Sequence, residues 1–150
     1  MRLLIAALAC LILFQACARA ETRSPCTPVT HLNQPYTVCT FAADEPLRLW
    51  LTHPDGGPFG QFDRLAAHLS DQGKTLHFAM NAGMYHQDRR PVGLYIENGE
   101  QIAPLVTREG PGNFGMLPNG VFWIDAEGKA HVTESLAFQA VAAEAVFATQ

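Results

Sequence analysis

The stretch Leu76-His77-Phe78-Ala79-Met80-Asn81-Ala82-Gly83-Met84-Tyr85 most constrains what this chain can become. Leu76, Phe78 and Met80 alternate with His77 and Ala79, which is the period of a strand buried on one face. The pattern then breaks, and a side-chain amide, a methyl and a bare backbone follow at Asn81-Ala82-Gly83. Glycine admits close approach of a second backbone or a ligand, and the Asn81 amide offers an acceptor and two donors. With the hydroxyl-bearing Tyr85 next, this strand end reads as a pocket floor. It also reads as a tight turn leaving a core strand.

The rest of the chain supplies the neighbours that such a strand needs. Tyr36–Phe41 and Leu47–Thr52 have strand patterning, and His53-Pro54-Asp55-Gly56-Gly57-Pro58 is a loop. Phe62, Leu65, Ala66 and Leu69 then fall on one helical face, with Gly73 as the stop. Strand, helix and strand in that order suggest a crossover unit. Val92–Glu97 and Gln101–Val106 flank Asn98-Gly99, a hairpin signal, and Phe114–Leu117 and Val121–Ile124 flank Pro118-Asn119-Gly120. Lys129–Thr133 reads as a strand, Ser135–Glu144 as an Ala-rich helix, and Val146–Gln150 as a last strand. The expected fold is α/β in the broad sense, of α+β type: a mixed sheet with hairpins and two helices.

The N-terminus belongs to export rather than to the fold. Met1-Arg2, an apolar run from Leu3 to Phe14 and Ala18-Arg19-Ala20 make a signal peptide over residues 1–20. The run is too short for a stable membrane span, which takes roughly 20 apolar residues. Acylation of Cys17 as a lipoprotein is the alternative; Phe14-Gln15-Ala16 before it argues for cleavage after Ala20 and a periplasmic or secreted product. Cleavage removes Arg2 and Arg19, so ten basic residues become eight against fourteen acidic and net charge moves from -4 to -6. No basic stripe for nucleic acid remains. Cys26 and Cys39 are then the remaining pair, read as a disulfide worth about 3 kcal/mol in the chain-entropy picture. Residues 21–35 are a polar arm, and 36–150 the domain.

Two loops hold most of the residues suited to binding, Asn81–Arg90 and Thr107–Asn113. Each follows an expected strand, so one sheet would bring them to a shared edge. Arg108 and the Arg89-Arg90 pair suit bidentate contact with phosphate, with at least one of the pair expected to be plain surface. Asp88 and Glu109 are the carboxylates in reach. The histidines are scattered, no metal set assembles, and no cofactor motif is present.

The strings Asn81-Ala82-Gly83-Met84-Tyr85, Pro91-Val92-Gly93-Leu94-Tyr95, Gly110-Pro111-Gly112-Asn113-Phe114 and Leu117-Pro118-Asn119-Gly120-Val121-Phe122 resemble, in order and spacing, the phosphodiester glycosidase family. The likeness runs from about Tyr36 to Gln150. It implies a hydrolase acting on the bond between a sugar's anomeric carbon and phosphate, as in N-acetylglucosamine-1-phosphodiesters, here an envelope or extracellular phosphoglycan. By position it implies Asn81 and Arg108 as catalytic residues and Gly83, Tyr85 and Asn113 as substrate-binding ones. The family's domain is longer and carries an Asp-Gly-Gly motif in its second half; the one here, Asp55-Gly56-Gly57, lies upstream. The chain is therefore expected to be the N-terminal part of that domain, ending in a raw apolar edge at Val146–Gln150 and weak or inactive alone. A non-catalytic binder of phosphorylated or acidic glycans, and an inactive truncated fragment, are the alternatives.

Overall fold

The computed structural model describes residues 25–42 and 45–150. The expected signal peptide and the Cys17 alternative lie outside them. The described chain divides into two units, one ending at Val38 and the other beginning at Cys39.

The described part of the first unit is a hairpin of β1 (Cys26–His31) and β2 (Gln34–Cys39), whose last residue begins the second unit. Leu32 and Asn33 both take positive φ, 48° and 58°, the mirror-image turn whose twist matches that of the strands. The hairpin's surface is largely exposed, so the described part of the expected polar arm, residues 25–35, has strand and turn geometry but contributes no core. Cys26 and Cys39 are joined by a disulfide across its open end, as expected from their pairing.

The second unit is built on a five-stranded sheet in the order β4-β3-β7-β5-β6. Its strands are β3 (Tyr95–Glu97), β4 (Glu100–Ala103), β5 (Gly120–Asp125), β6 (Ala130–Glu134) and β7 (Ala145–Thr149). The α+β expectation holds, and all four ladders of this sheet are antiparallel. Asn98 and Gly99, at φ 54° and 80°, make the expected two-residue turn between β3 and β4.

Strand alternation gives the sheet two apolar faces. Ile96, Val121, Trp123 and Ala148 meet Phe138 on one face, all buried. Phe138 belongs to α2 (Ser135–Phe138), whose first turn is capped by the Glu134 carboxylate accepting from the Leu136 and Ala137 amides. Tyr95, Phe122, Ile124 and Thr149 face the other way. Opposite them lies a second cluster in which α1 (Phe62–Asp71) buries Leu65 and Leu69 against Phe59, with Trp50 and Leu76 packed on it. Gly73 at φ 70° ends α1, and the Gly73 and Lys74 amides satisfy the Ser70 and Leu69 carbonyls.

Several expected elements take other forms. Leu47–Leu51 and Leu76–Met80 alternate as strands do but join no ladder, so no strand–helix–strand crossover forms. Among the described residues, no hydrogen bond reaches residues 75–83, and a strand pattern without a partner remains single extended chain. Phe114–Leu117 is not a strand: a 3-10 turn over Asn113–Gly115 replaces it, because Asn119 folds back and its Nδ2 donates to the Phe114 carbonyl at 2.9 Å. The expected helix over Ser135–Glu144 stops at Phe138 and tightens into a 3-10 turn at Ala142–Glu144, since the chain must enter the sheet at Ala145. The expected raw edge is also absent, since β7 is the central strand, paired with β3 on one side and β5 on the other.

Candidate functional site

Between the Tyr95–Phe122–Ile124 face of the sheet and the α1 layer lies a cavity of about 810 Å³. Its walls are mainly apolar, and its polar lining includes Asn81, Arg48, Arg89 and Gln150. No carboxylate or imidazole is among the described residues that line it.

The strand-like run from Leu76 to Met80 forms part of one wall, and Asn81, Gly83 and Tyr85 continue it. Close approach explains the glycine. A Cβ on Gly83 would stand 2.5 Å from Thr149 Oγ1 and 3.0 Å from the Gln150 carbonyl, so only a bare backbone fits against the end of β7. Asn81 and Tyr85 are exposed at the rim.

The residues after Tyr85 double back as a small hairpin. Tyr85 bridges Pro91, the His86 amide donates to the Arg90 carbonyl and the Arg89 amide to the His86 carbonyl, both at 2.9 Å. This is a type I turn followed by one residue in the left-handed region. The chain uses the same turn at His53–Gly57 and Asp125–Lys129, where that residue is Gly56 (φ 92°) and Gly128 (φ 81°). In the middle copy it is Arg89, at φ 70°. The half-buried Arg89 guanidinium lies 4.8 Å from the centre of the Tyr85 ring and lines the cavity. Arg90 is instead exposed and paired with Asp88, whose carboxyl its hydrogen bonds hold below the ordinary range. The sequence singled out the arginine pair; the turn geometry separates its members.

The second loop meets the first at its tip, where Asn113 Nδ2 stands 3.3 Å from Met84 Sδ. The two loops therefore touch at this point, but not along the shared sheet edge that was expected, since Leu76–Met80 joins no sheet. Neither Arg108 nor Asn113 lines the cavity, however, and both are exposed on the loop beside it. Glu109 is exposed as well. His131 stacks on Trp123 at 4.2 Å and places Nε2 2.7 Å from Asp125 Oδ2, but neither member of this pair lines the cavity.

Sequence reading missed two groups. Gln150, read only as the end of a strand, places its carboxamide among Val106, Asn119 and Ser135. Glu97, read as a hairpin residue, accepts from the Tyr95 hydroxyl at 3.0 Å and the Leu51 amide at 3.3 Å, which ties the unpaired Leu47–Leu51 segment to β3. Burial pushes the Glu97 carboxyl above its ordinary range, partly opposed by those two hydrogen bonds. Burial and the Glu97 charge likewise push the Tyr95 phenol up.

A raised folded value means that the folded state holds the Glu97 proton more tightly than the unfolded one. The protein therefore gains stability as pH falls through the folded value, the gain being complete below the ordinary value of 4.5. Glu97→Gln is expected to keep both acceptor contacts and flatten this dependence. Glu97→Ala strands the Leu51 amide and is expected to cost about 1 kcal/mol. Urea denaturation at pH 5 and pH 8 measures both.

Among the described residues no helix is long and apolar enough to cross a membrane, and no group of three or more His, Cys, Asp or Glu side chains is placed to hold a metal. No family model matches the chain, and no solved structure matches it. It is similar to an Escherichia coli (strain K12) protein described as uncharacterized protein YigE, 37% identical over 91 residues. That match covers 61% of this chain and only 35% of the relative's length, about a third of the longer protein.

Proposed function

We propose that this protein is an exported hydrolase of the phosphodiester glycosidase type, whose cavity takes a sugar linked through its anomeric carbon to a phosphodiester. The observation that carries the reading is Arg89, an arginine in a turn position that the chain elsewhere gives to glycine, lining the cavity that Asn81 also borders. Its fork suits two phosphate oxygens, and Tyr85 beneath it keeps the guanidinium in place. The apolar walls suit the flat face of a sugar, and Asn81 its hydroxyls or a water. Asn113 and Arg108 stand on the loop beside the cavity, outside its lining, where they would meet only a part of the ligand that extends past it.

The reaction adds water across the anomeric carbon–oxygen bond; the sugar takes the hydroxyl and the phosphate monoester leaves. Phosphate is a far better leaving group than an alcohol, so charge stabilisation matters more than protonation of the leaving oxygen. The carboxylate-free lining favours a second reading, a non-catalytic binder of phosphorylated glycans.

Calorimetric titration of the mature protein with the methyl phosphodiester of N-acetylglucosamine-1-phosphate tests the site, and release of free sugar separates the readings. Binding with release supports the hydrolase, and binding without release supports the binder. Absence of binding at millimolar ligand removes both. Asn81→Ala is expected to weaken binding by about fivefold, from the loss of about 1 kcal/mol of hydrogen bonding.

A further inference from the structure

We propose that the Gln150 carboxamide is a positioning residue: it clamps both ends of the Thr107–Asn113 loop to the central strand and so sets where Arg108 and Asn113 stand. The proposal rests on the cavity being the phosphodiester site only for its consequence in binding, and the clamp itself is read from hydrogen bonds.

The loop begins after Val106. There Gln150 Oε1 accepts from the Val106 amide at 2.9 Å, and Nε2 donates to the Val106 carbonyl at 2.7 Å. One side chain thus satisfies both backbone groups of one residue, as a neighbouring strand would. The loop ends at Phe114, whose carbonyl accepts from Asn119 Nδ2 at 2.9 Å. Gln150 Nε2 reaches Asn119 Oδ1 at 3.2 Å and Ser135 Oγ at 3.1 Å, and the Ser135 hydroxyl donates to Asn119 Oδ1. Start and end of the loop therefore meet at one amide.

That amide is itself fixed. The Gln150 backbone amide donates to the Leu94 carbonyl at 3.1 Å, continuing the line of β7, and Ser135 is fully buried. Room for the side chain comes from Gly93, where a Cβ would stand 3.1 Å from both Gln150 Cβ and Oε1 and 3.0 Å from Phe114 Cζ. Arg108, by contrast, forms no hydrogen bond or ion pair with a described residue, so the backbone anchors govern its place.

Only a group carrying a donor and an acceptor side by side fills this role. Methionine supplies neither. An ionised glutamate keeps the acceptor for the Val106 amide but turns a second acceptor on the Val106 carbonyl. A protonated carboxyl restores the donor, so Gln150→Glu carries its own rescue by acid.

The test uses Gln150→Met and Gln150→Glu in the full chain, with two readouts. Amide hydrogen exchange needs no ligand: Gln150→Met is expected to speed exchange at Val106 and across residues 107–113 by roughly tenfold or more, leaving Val121 and Trp123 in β5 unchanged. Titration with the methyl phosphodiester of N-acetylglucosamine-1-phosphate is the second. Gln150→Glu is expected to bind roughly tenfold more weakly than wild type at pH 8 and to recover most of that loss at pH 3.5, below the ordinary glutamate value of about 4.3, while Gln150→Met stays weak at both. Should Gln150→Met not fold, exchange in Gln150→Glu at the two pH values decides in its place. Unchanged exchange at Val106 and in the loop overturns the clamp, as does an equal weakening of Gln150→Glu at both pH values. If wild type binds no diester, the functional reading fails by itself and exchange alone judges the clamp.

Discussion

Gly115→Ala is expected to break the second loop apart. Gly115 is buried, and a Cβ built on it would lie on the Gly110 carbonyl. The Gly110 carbonyl carbon and amide nitrogen crowd the same point. These are backbone atoms, with no flexible side-chain end to swing aside, so the loop must open. Opening it sacrifices the bond from the Gly110 amide to the Gly115 carbonyl, at 3.2 Å, and that from the Gly115 amide to the Gly112 carbonyl, at 3.1 Å. Overpacking of this kind costs about 1–3 kcal/mol. For a unit of this size each kcal/mol lowers the midpoint of thermal unfolding by about 4–8 °C. Gly110→Ala is the control on the other side of the contact. No atom lies within 4 Å of its added methyl and its φ is not positive, so it is expected to be neutral or to stabilise by up to about 1 kcal/mol. Equal melting curves for the two variants would show that the loop does not close on Gly115 in this way.

The pair also shows what the sequence makes legible. Gly-Pro-Gly at 110–112 announces a loop, but which glycine is needed depends on the chain folding back from 115 to 110. Local rules served where the decisive contacts are local: the α1 stripe with its Gly73 stop, the Asn98-Gly99 turn, and the two cysteines that close one hairpin. They failed where a residue's state depends on a distant partner. Leu47–Leu51 and Leu76–Met80 carry strand patterns, yet a strand needs a neighbour to bond with, and alternation says nothing about whether one exists. At the site, Gly83 was legible as a place of close approach, although the contact itself is with Thr149 and Gln150. Gln150 was not legible, because its partners Val106 and Asn119 lie 44 and 31 residues away. A polar residue closing the apolar run Ala145–Thr149 was the one available signal.

Arg89→Gly is expected to separate stability from binding. Arg89 holds φ 70°, where a side chain other than glycine's costs about 1 kcal/mol or more. Removing it also removes the contact with Tyr85, worth about 0.5–1 kcal/mol at an exposed site. The two terms oppose each other, so the variant is expected to melt at or slightly above the wild-type temperature. Binding should behave differently. A hydrogen bond to a charged group is worth about 1.5–3 kcal/mol, so loss of the guanidinium is expected to weaken affinity for the sugar phosphodiester by roughly 10- to 150-fold. Arg90→Ala is the matched control: its side chain is committed to Asp88 at 2.6 Å and lies outside the cavity lining, so affinity should stay within about twofold. Scanning calorimetry and titration of the same samples give both quantities. A strained position that stabilises when relieved and binds only when strained is one kept for its ligand. If Arg89→Gly binds as tightly as wild type, or if Arg90→Ala is the weaker binder, the phosphate contact does not belong to Arg89 and the reading built on its turn falls.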